Sequence, residues 1–295
     1  MTPAEQRQIF DFGYACYLEV VSLIIFTAAG GGAILGIFIA MRLLHIKTWR
    51  EPKALQFLCC LIIVLAVTGT IIIQSMIVFT QAKLGLLYNV SNPPFNVVIG
   101  DDIEGFLSAV MIVVGDFVIC WRAWVLLPQD KFWRSVLATI LIGNTVANLA
   151  DPIFGVFETN NQSNTSHIVV DWISLAFSLL ANTTAIALIG WKAWTHYHTM
   201  RKLLVCRISR VQKTLLLFVE SGALFLVLQL YSLMGKIMPS MQSFDMTSSL
   251  SMSLVSTIGQ DLWVASAAIY PVAIIILIHS QNSPIEESFY IATQP

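Results

Sequence analysis

Charge is what this 295-residue chain has least of: Asp, Glu, Lys and Arg together make up 11% of it, against 57% hydrophobic residues. A water-soluble globule carries roughly a quarter charged residues, so that class is excluded, and the mean hydropathy of +0.77 agrees. Residues 250–279 contain no lysine, which excludes a retinal Schiff base there. Histidines do not converge with carboxylates, because His45, His196, His198 and His279 fall at one end of the apolar segments and His167 at the other. The His196-x-His198 pair points apart on a helix, so no metal site is expected, and with it no zinc-dependent hydrolase. No phosphate-binding glycine motif or nucleophile elbow occurs in the loops. No enzyme activity, cofactor or nucleic-acid partner is therefore expected. The opening MTPAEQRQIFDF lacks a basic region leading into a short apolar core, so no cleavable signal is expected and the first apolar run serves as a reversed anchor.

What is present is apolar sequence in long runs. A membrane-crossing helix needs about 20 mainly apolar residues, and seven such stretches occur, at about 14–41, 54–80, 104–127, 133–157, 169–194, 214–237 and 250–279. They consume most of the chain and leave no soluble domain. The expected fold is one all-α, seven-helix membrane domain over residues 1–295, in contact with membrane lipids.

Cations sort to one side of these runs. Arg42, Lys47, Arg50, Lys53, Arg122, Lys131, Arg134, Lys192, Arg201, Lys202, Arg207, Arg210 and Lys213 share one face, leaving Arg7, Lys83 and Lys236 for the other. Basic residues stay cytoplasmic, which puts the N-terminus outside and the C-terminus inside. Three glycosylation sequons, at Asn89, Asn161 and Asn164, then fall in outer loops. Of the five cysteines (Cys16, Cys59, Cys60, Cys120 and Cys206) only Cys16 lies near the outer face, so no disulfide within the chain can join the outer loops.

The tetrapeptide W-[RK]-A-W is written twice, at 121–124 and 191–194. The flanking residues GDFVIC and AIALIG do not match, which argues against duplication. Both copies end runs that travel from outside to inside, where tryptophan sits at the interface and a long cation snorkels. One difference remains: Lys192 leads into a polar loop, whereas Arg122 is followed by Ala-Trp-Val-Leu-Leu and lies about one turn within the boundary, where a charge needs a partner. Glu220 is at comparable depth on span 6, and an Arg122–Glu220 pair would tie spans 3 and 6 together.

Polar residues recur at helical spacing in the outer halves. Span 5 carries Asp171, Ser174, Ser178 and Asn182 on one face, span 4 Asn144, Asn148 and Asp151, span 7 Gln260 and Asp261, and span 6 Gln229. Their common depth points to a water-filled cavity open to the exterior and reaching Asp116 near the midplane, with Asp116, Asn148, Asp151, Ser178, Asn182, Gln229, Gln260 and Asp261 as candidate ligand-binding residues. The alternative for each stripe alone is interhelical hydrogen bonding. Gly32-x-x-x-Gly36 is expected to permit close helix packing, and Pro271 to kink span 7.

GDFVICWRAWVLL closing span 3, GWKAW closing span 5 and LLLFVESGAL in span 6, in a seven-span chain with this orientation, resemble a large group of receptor-like seven-helix proteins of mushroom-type (basidiomycete) fungi. The layout is also similar to that of G-protein-coupled receptors. It departs from their largest class: Cys120-Trp121-Arg122 replaces Asp-Arg-Tyr at the foot of span 3, and Tyr270-Pro271 stands where that class has Asn-Pro followed by a tyrosine. The resemblance implies a plasma-membrane receptor for an unknown small molecule or peptide. It further implies an inner-face switch at Arg122 and Glu220, and a heterotrimeric G protein docking on Arg201, Lys202, Arg207 and Arg210. The alternative is a small proton-coupled transporter, suggested by Asp116, Asp261 and Glu220 strung along the bundle; against it, no repeat or broken span is apparent.

Overall fold

The computed structural model describes residues 2–46, 51–87, 95–127, 130–161, 165–202, 210–241 and 246–280. These form seven helices and, among the described residues, no strand: α1 (Pro3–Ile46), α2 (Glu51–Leu87), α3 (Phe95–Leu126), α4 (Lys131–Asn161), α5 (Thr165–Lys202), α6 (Arg210–Met241) and α7 (Met246–Ser280). Helix is forced by the apolar runs, because in lipid every backbone N–H and C=O must be paired within the segment. Local signals set several ends. Pro52 stands in the first turn of α2, where its missing N–H costs nothing. α3 closes with the Leu127 N–H donating to the Trp124 carbonyl at 3.3 Å, Leu127 standing immediately before Pro128. Asp130 precedes α4, and its carbonyl accepts from the Arg134 N–H at 3.2 Å.

Six of the helices, α1 to α5 and α7, are long and apolar enough to cross a membrane; the described apolar stretch of α6 is shorter, Val219–Met234. The surface agrees with lipid contact. Phe79 is 72% exposed, Phe132 71% and Leu224 68%, which water would penalise and hydrocarbon does not. The protein is thus a multi-pass helical membrane protein.

Consecutive helices pack antiparallel in a ring that α1 and α7 close, and α3 sits inside the ring against α2, α4, α5 and α7. Paired contacts give the directions. Gln74 reaches Ser22 while Gly30 meets Val67, so α1 and α2 oppose each other. Ser22 holds Asp261 and Gly36 meets Val272, so α7 runs parallel to α1. Helices α1, α3, α5 and α7 therefore all start at the same end of the bundle.

The packing glycines of α1 are not the expected pair. A Cβ at Gly32 would meet nothing within 4 Å, whereas one at Gly30 would come within 2.9 Å of Val67 and one at Gly36 within 2.9 Å of Val272. Four-residue spacing marks a helix face but does not choose which neighbour it meets. The tightest backbone approach lies elsewhere, at Gly115 on α3, where a Cβ would sit 3.0 Å from the Ala267 carbonyl oxygen of α7. Pro271, inside α7, has no N–H to donate four residues back to that same Ala267 carbonyl. Glycine on α3 lets a backbone C–H approach the freed oxygen instead. Gly115→Ala is expected to lower stability by about 1–3 kcal/mol through forced separation of α3 from α7, while Gly32→Ala stays within about 0.5 kcal/mol of the parent; thermal unfolding of the purified variants in detergent measures both.

Candidate functional site

The two W-[RK]-A-W tetrapeptides come together at one end of the bundle through α4. Trp133 meets Trp191 edge-on at 6.4 Å, and the Arg134 guanidinium lies 4.4 Å from the Trp124 ring. Trp191 and Trp194 are exposed to the surroundings, as is Lys192. Arg122 is not: it is 9% exposed. The structure does not join Arg122 to Glu220. Glu220 is exposed on α6, and α3 and α6 do not touch among the described residues, α5 and α7 lying between them. Equal depth along two helices fixed neither which helices are neighbours nor which way each side chain turns. Arg122 instead lies in the electrostatic neighbourhood of Tyr270 on α7, whose hydroxyl hydrogen-bonds with Ser221 on α6. The Tyr270 ring stacks on Phe225 at 5.3 Å, and its hydroxyl crosses over Gly222. Ser221, the residue after Glu220, carries the α6 link.

Midway along the bundle is a buried polar hub. Asp116 on α3 is fully buried. Its Oδ2 accepts from Asn144 Nδ2 of α4 at 2.8 Å and from the Ser178 hydroxyl of α5 at 2.6 Å, and its Oδ1 accepts from Asn182 Nδ2 at 2.8 Å. Gln229 of α6 closes the ring: its Nε2 donates to Ser178 Oγ at 2.8 Å, and its Oε1 accepts from Asn182 at 3.2 Å. Asn148 adds a further layer, donating to the Asn144 backbone carbonyl at 2.9 Å and side-chain oxygen at 2.8 Å. One carboxylate with neutral partners thus binds α3, α4, α5 and α6 into a unit.

Above the hub, towards the end where α1, α3, α5 and α7 begin, is a cavity of about 380 Å³. Of the eight candidate ligand-binding residues, Asn148, Asp151, Gln260 and Asp261 line it. Asp116, Ser178, Asn182 and Gln229 do not; they are the sealed hub beneath, at 0% exposure each. Depth was legible in the stripes, but whether a polar face meets water or another polar face depends on how well its neighbours satisfy it, and here they pair both Asp116 oxygens and leave Asn182 Oδ1 without a partner among the described residues.

The cavity also recruits residues outside the eight candidates. Asp101, Glu104 and Ser108 of α3 line it, as do Asp171 and Ser174 of the span 5 stripe. The signal for the first three was present: DDIEGFLS places them at i, i+3 and i+7. A span beginning at 104 leaves Asp101 outside and cuts the stripe short, whereas the helix begins at Phe95. Trp263, 3% exposed, and Phe26, 4% exposed, form apolar wall. The Asp261 carboxylate is held by Ser22 of α1, which in turn accepts from Gln74 of α2 at 2.7 Å. Ser232 of α6 donates to Gln260 at 2.8 Å. Every helix except α2 and α6 contributes wall residues directly, and those two support them.

Among the described residues no group of histidine, cysteine or acidic side chains is arranged to hold a metal ion. The side chains of Asn161, Arg201, Lys202, Arg207 and Arg210, and the sequon residues Asn89 and Asn164, lie outside what the structure describes. No family model, curated protein or solved structure matches the chain.

Replacing Asp116 tests the hub. Asp116→Ala would strand the Asn144, Ser178 and Asn182 donors. With membrane-buried hydrogen bonds worth about 0.6–1.7 kcal/mol each, a loss of about 2–5 kcal/mol is expected. Asp116→Asn keeps one acceptor oxygen and is expected to cost about 1 kcal/mol. Thermal unfolding of both variants in detergent distinguishes them, and equal losses would mean that the hydrogen bonds do not hold the helices.

Proposed function

We propose that this protein is a seven-span receptor of G-protein-coupled layout, of the kind found in mushroom-type fungi, with its N-terminus outside and its C-terminus inside. In this reading α6 completes the seven spans and the protein resides in the plasma membrane. A small molecule enters the acidic cavity from the outside, and the cytoplasmic ends of α3, α5 and α6 engage a G protein.

One observation carries the reading: the cavity rests directly on the hub, and Asn148 belongs to both. It lines the cavity and donates to Asn144, which donates to Asp116. A ligand that moves Asn148 therefore acts on a network whose other members are on α5 and α6. Further along, between the hub and the tryptophan-bearing end, the interior is mainly apolar, with Ile119, Ala123, Leu137, Leu188, Ile189 and Ile275 all buried and Arg122 the buried charge among them. A polar chamber at one end, closed by a hydrogen-bonded hub with mainly apolar packing beyond it, suits transmission of a shape change better than passage of a solute. This favours the receptor over the proton-coupled transporter, which needs polar groups within reach of both sides.

The helix ends opposite the cavity offer the output. The Tyr270–Ser221 hydrogen bond ties α7 to α6 beside buried Arg122, and an outward movement of α6 breaks it. In this reading it is the resting-state latch, in place of an Arg122–Glu220 pair.

The test is ligand-free nucleotide exchange on fungal Gα subunits by protein reconstituted in lipid. Tyr270→Phe removes the latch hydroxyl; one hydrogen bond of about 1 kcal/mol corresponds to an increase in basal exchange of about fivefold. Glu220→Gln is expected to leave exchange unchanged. No exchange above empty membranes, with folded protein and several Gα subunits, would sink the receptor reading.

A further inference from the structure

The cavity's walls are unbalanced in charge. Among the described residues five carboxylates line it, Asp101 and Glu104 from α3, Asp151 from α4, Asp171 from α5 and Asp261 from α7, and no lysine or arginine does. Glu19 of α1 adds to the same field, close enough to interact with Asp101, Glu104 and Asp261. Apolar walls focus such a field into the chamber and concentrate cations there. Repulsion among the carboxylates is a standing cost that a cationic occupant removes.

Two further features describe the occupant. Trp263, 3% exposed in the wall, has an indole N–H with no acceptor among the described residues. Buried donors are rarely left unpaired, so this N–H calls for an acceptor supplied from the cavity. Asp261 shows the converse: its Oδ2 is buried without a donor, although its carboxylate is held by Ser22. A ligand offering a donor to Asp261 and an acceptor to Trp263 satisfies both.

A bare metal ion does not fit. Calcium or magnesium needs several oxygens converging at about 2.0–2.6 Å, and no set of acidic side chains among the described residues converges in that way. The carboxylates come from four helices, and the lining of α3 alone runs from Asp101 to Ile112, about 16 Å at 1.5 Å per residue. Charge distributed over that length matches separated ammonium groups rather than one centre, and about 380 Å³ is within the usual range for small organic ligands.

We propose that the cavity binds an organic oligoamine, a molecule with two or more separated ammonium groups and a neutral hydrogen-bond acceptor. The ammonium groups bridge Glu104 of α3 and Asp261 of α7, the acceptor takes the Trp263 N–H, and the carbon chain lies along Phe26, Ile112 and Val264. This rests on reading the cavity as a ligand site, and it names the ligand's chemistry.

The test is equilibrium binding with no G protein present, so its outcome is independent of signalling. Full-length protein in lipid nanodiscs would be titrated with N-acetylspermidine, which has two ammonium groups and one amide carbonyl, and with 1,5-diaminopentane, at constant ionic strength. Sorbitol serves as a neutral control, and sodium and magnesium as simple cations. Saturable binding of the acetylated amine is expected, weaker binding of the diamine, and none of sorbitol. Glu104→Gln and Asp261→Asn should each weaken the amine about tenfold, the effect of one charge-assisted hydrogen bond. Trp263→Phe should weaken N-acetylspermidine about fivefold and the diamine hardly at all. Asp102→Asn removes the same charge from a neighbouring position off the cavity wall and should stay within twofold. No saturable binding by either amine, equal protection by magnesium, or unchanged affinity in both carboxylate variants would each overturn the proposal. If amines bind while Gα exchange is absent, the ligand class stands and the receptor reading falls; exchange without amine binding gives the reverse.

Discussion

A carboxylate at the centre of an apolar bundle must be solvated by the protein, and in this molecule Asp116 is solvated by three neutral donors from two helices. That requirement organises much else. To supply the donors, α4 must turn Asn144 inward and α5 must turn Ser178 and Asn182 inward, which fixes the rotation of both helices about their axes. Gln229, bonded to the α5 residues rather than to the carboxylate, carries the constraint on to α6. Non-directional packing of Leu, Ile and Val would tolerate many rotations; hydrogen bonds at 2.6–2.8 Å tolerate few. The hub supplies directional specificity where the hydrophobic effect, absent between helices in lipid, supplies none.

Two polar systems share the cavity half of the bundle and differ in one respect. In the hub, the Asp116 carboxylate oxygens both find donors within the protein. In the cavity above it, the Trp263 indole N–H and an Asp261 carboxylate oxygen stay unpaired among the described residues. Asn148 stands at the boundary and takes part in both. A paired carboxylate next to an unpaired one is a coherent arrangement for a molecule that responds to what enters it: the unpaired part gains by binding, and the hub has a preferred geometry to be displaced from.

Much of this architecture was legible in the chain. Apolar run length gave the helices, because in hydrocarbon there is no alternative way to pair the backbone. The repeated tetrapeptide marked equivalent helix ends, since tryptophan and a long cation suit one depth. Stripes on spans 4, 5 and 7 gave the right depth for the polar interior. The failures share a cause. Arg122 with Glu220, Gly32 with Gly36, and the assignment of Asp116, Ser178, Asn182 and Gln229 to the cavity wall all needed helix rotation or neighbour identity, which periodicity within one helix does not contain. Asp101 was lost to a different error: an acidic residue at the head of a helix looks like loop, and part of the cavity's charge comes from there.

The hub also imposes an order on the making of the protein. Asp116 precedes its partners by 28 residues for Asn144, 62 for Ser178 and 66 for Asn182, so during synthesis α3 enters the bilayer with its carboxylate unsolvated while α4 and α5 are still being translated. Insertion of that helix must be carried by its flanking apolar residues, and a nascent chain halted after α3 holds an exposed acidic group in lipid, the kind of lesion that membrane quality control detects. Completion of α5 removes it. The same residue that locks the finished bundle therefore reports, while the chain is being made, whether the bundle has been finished.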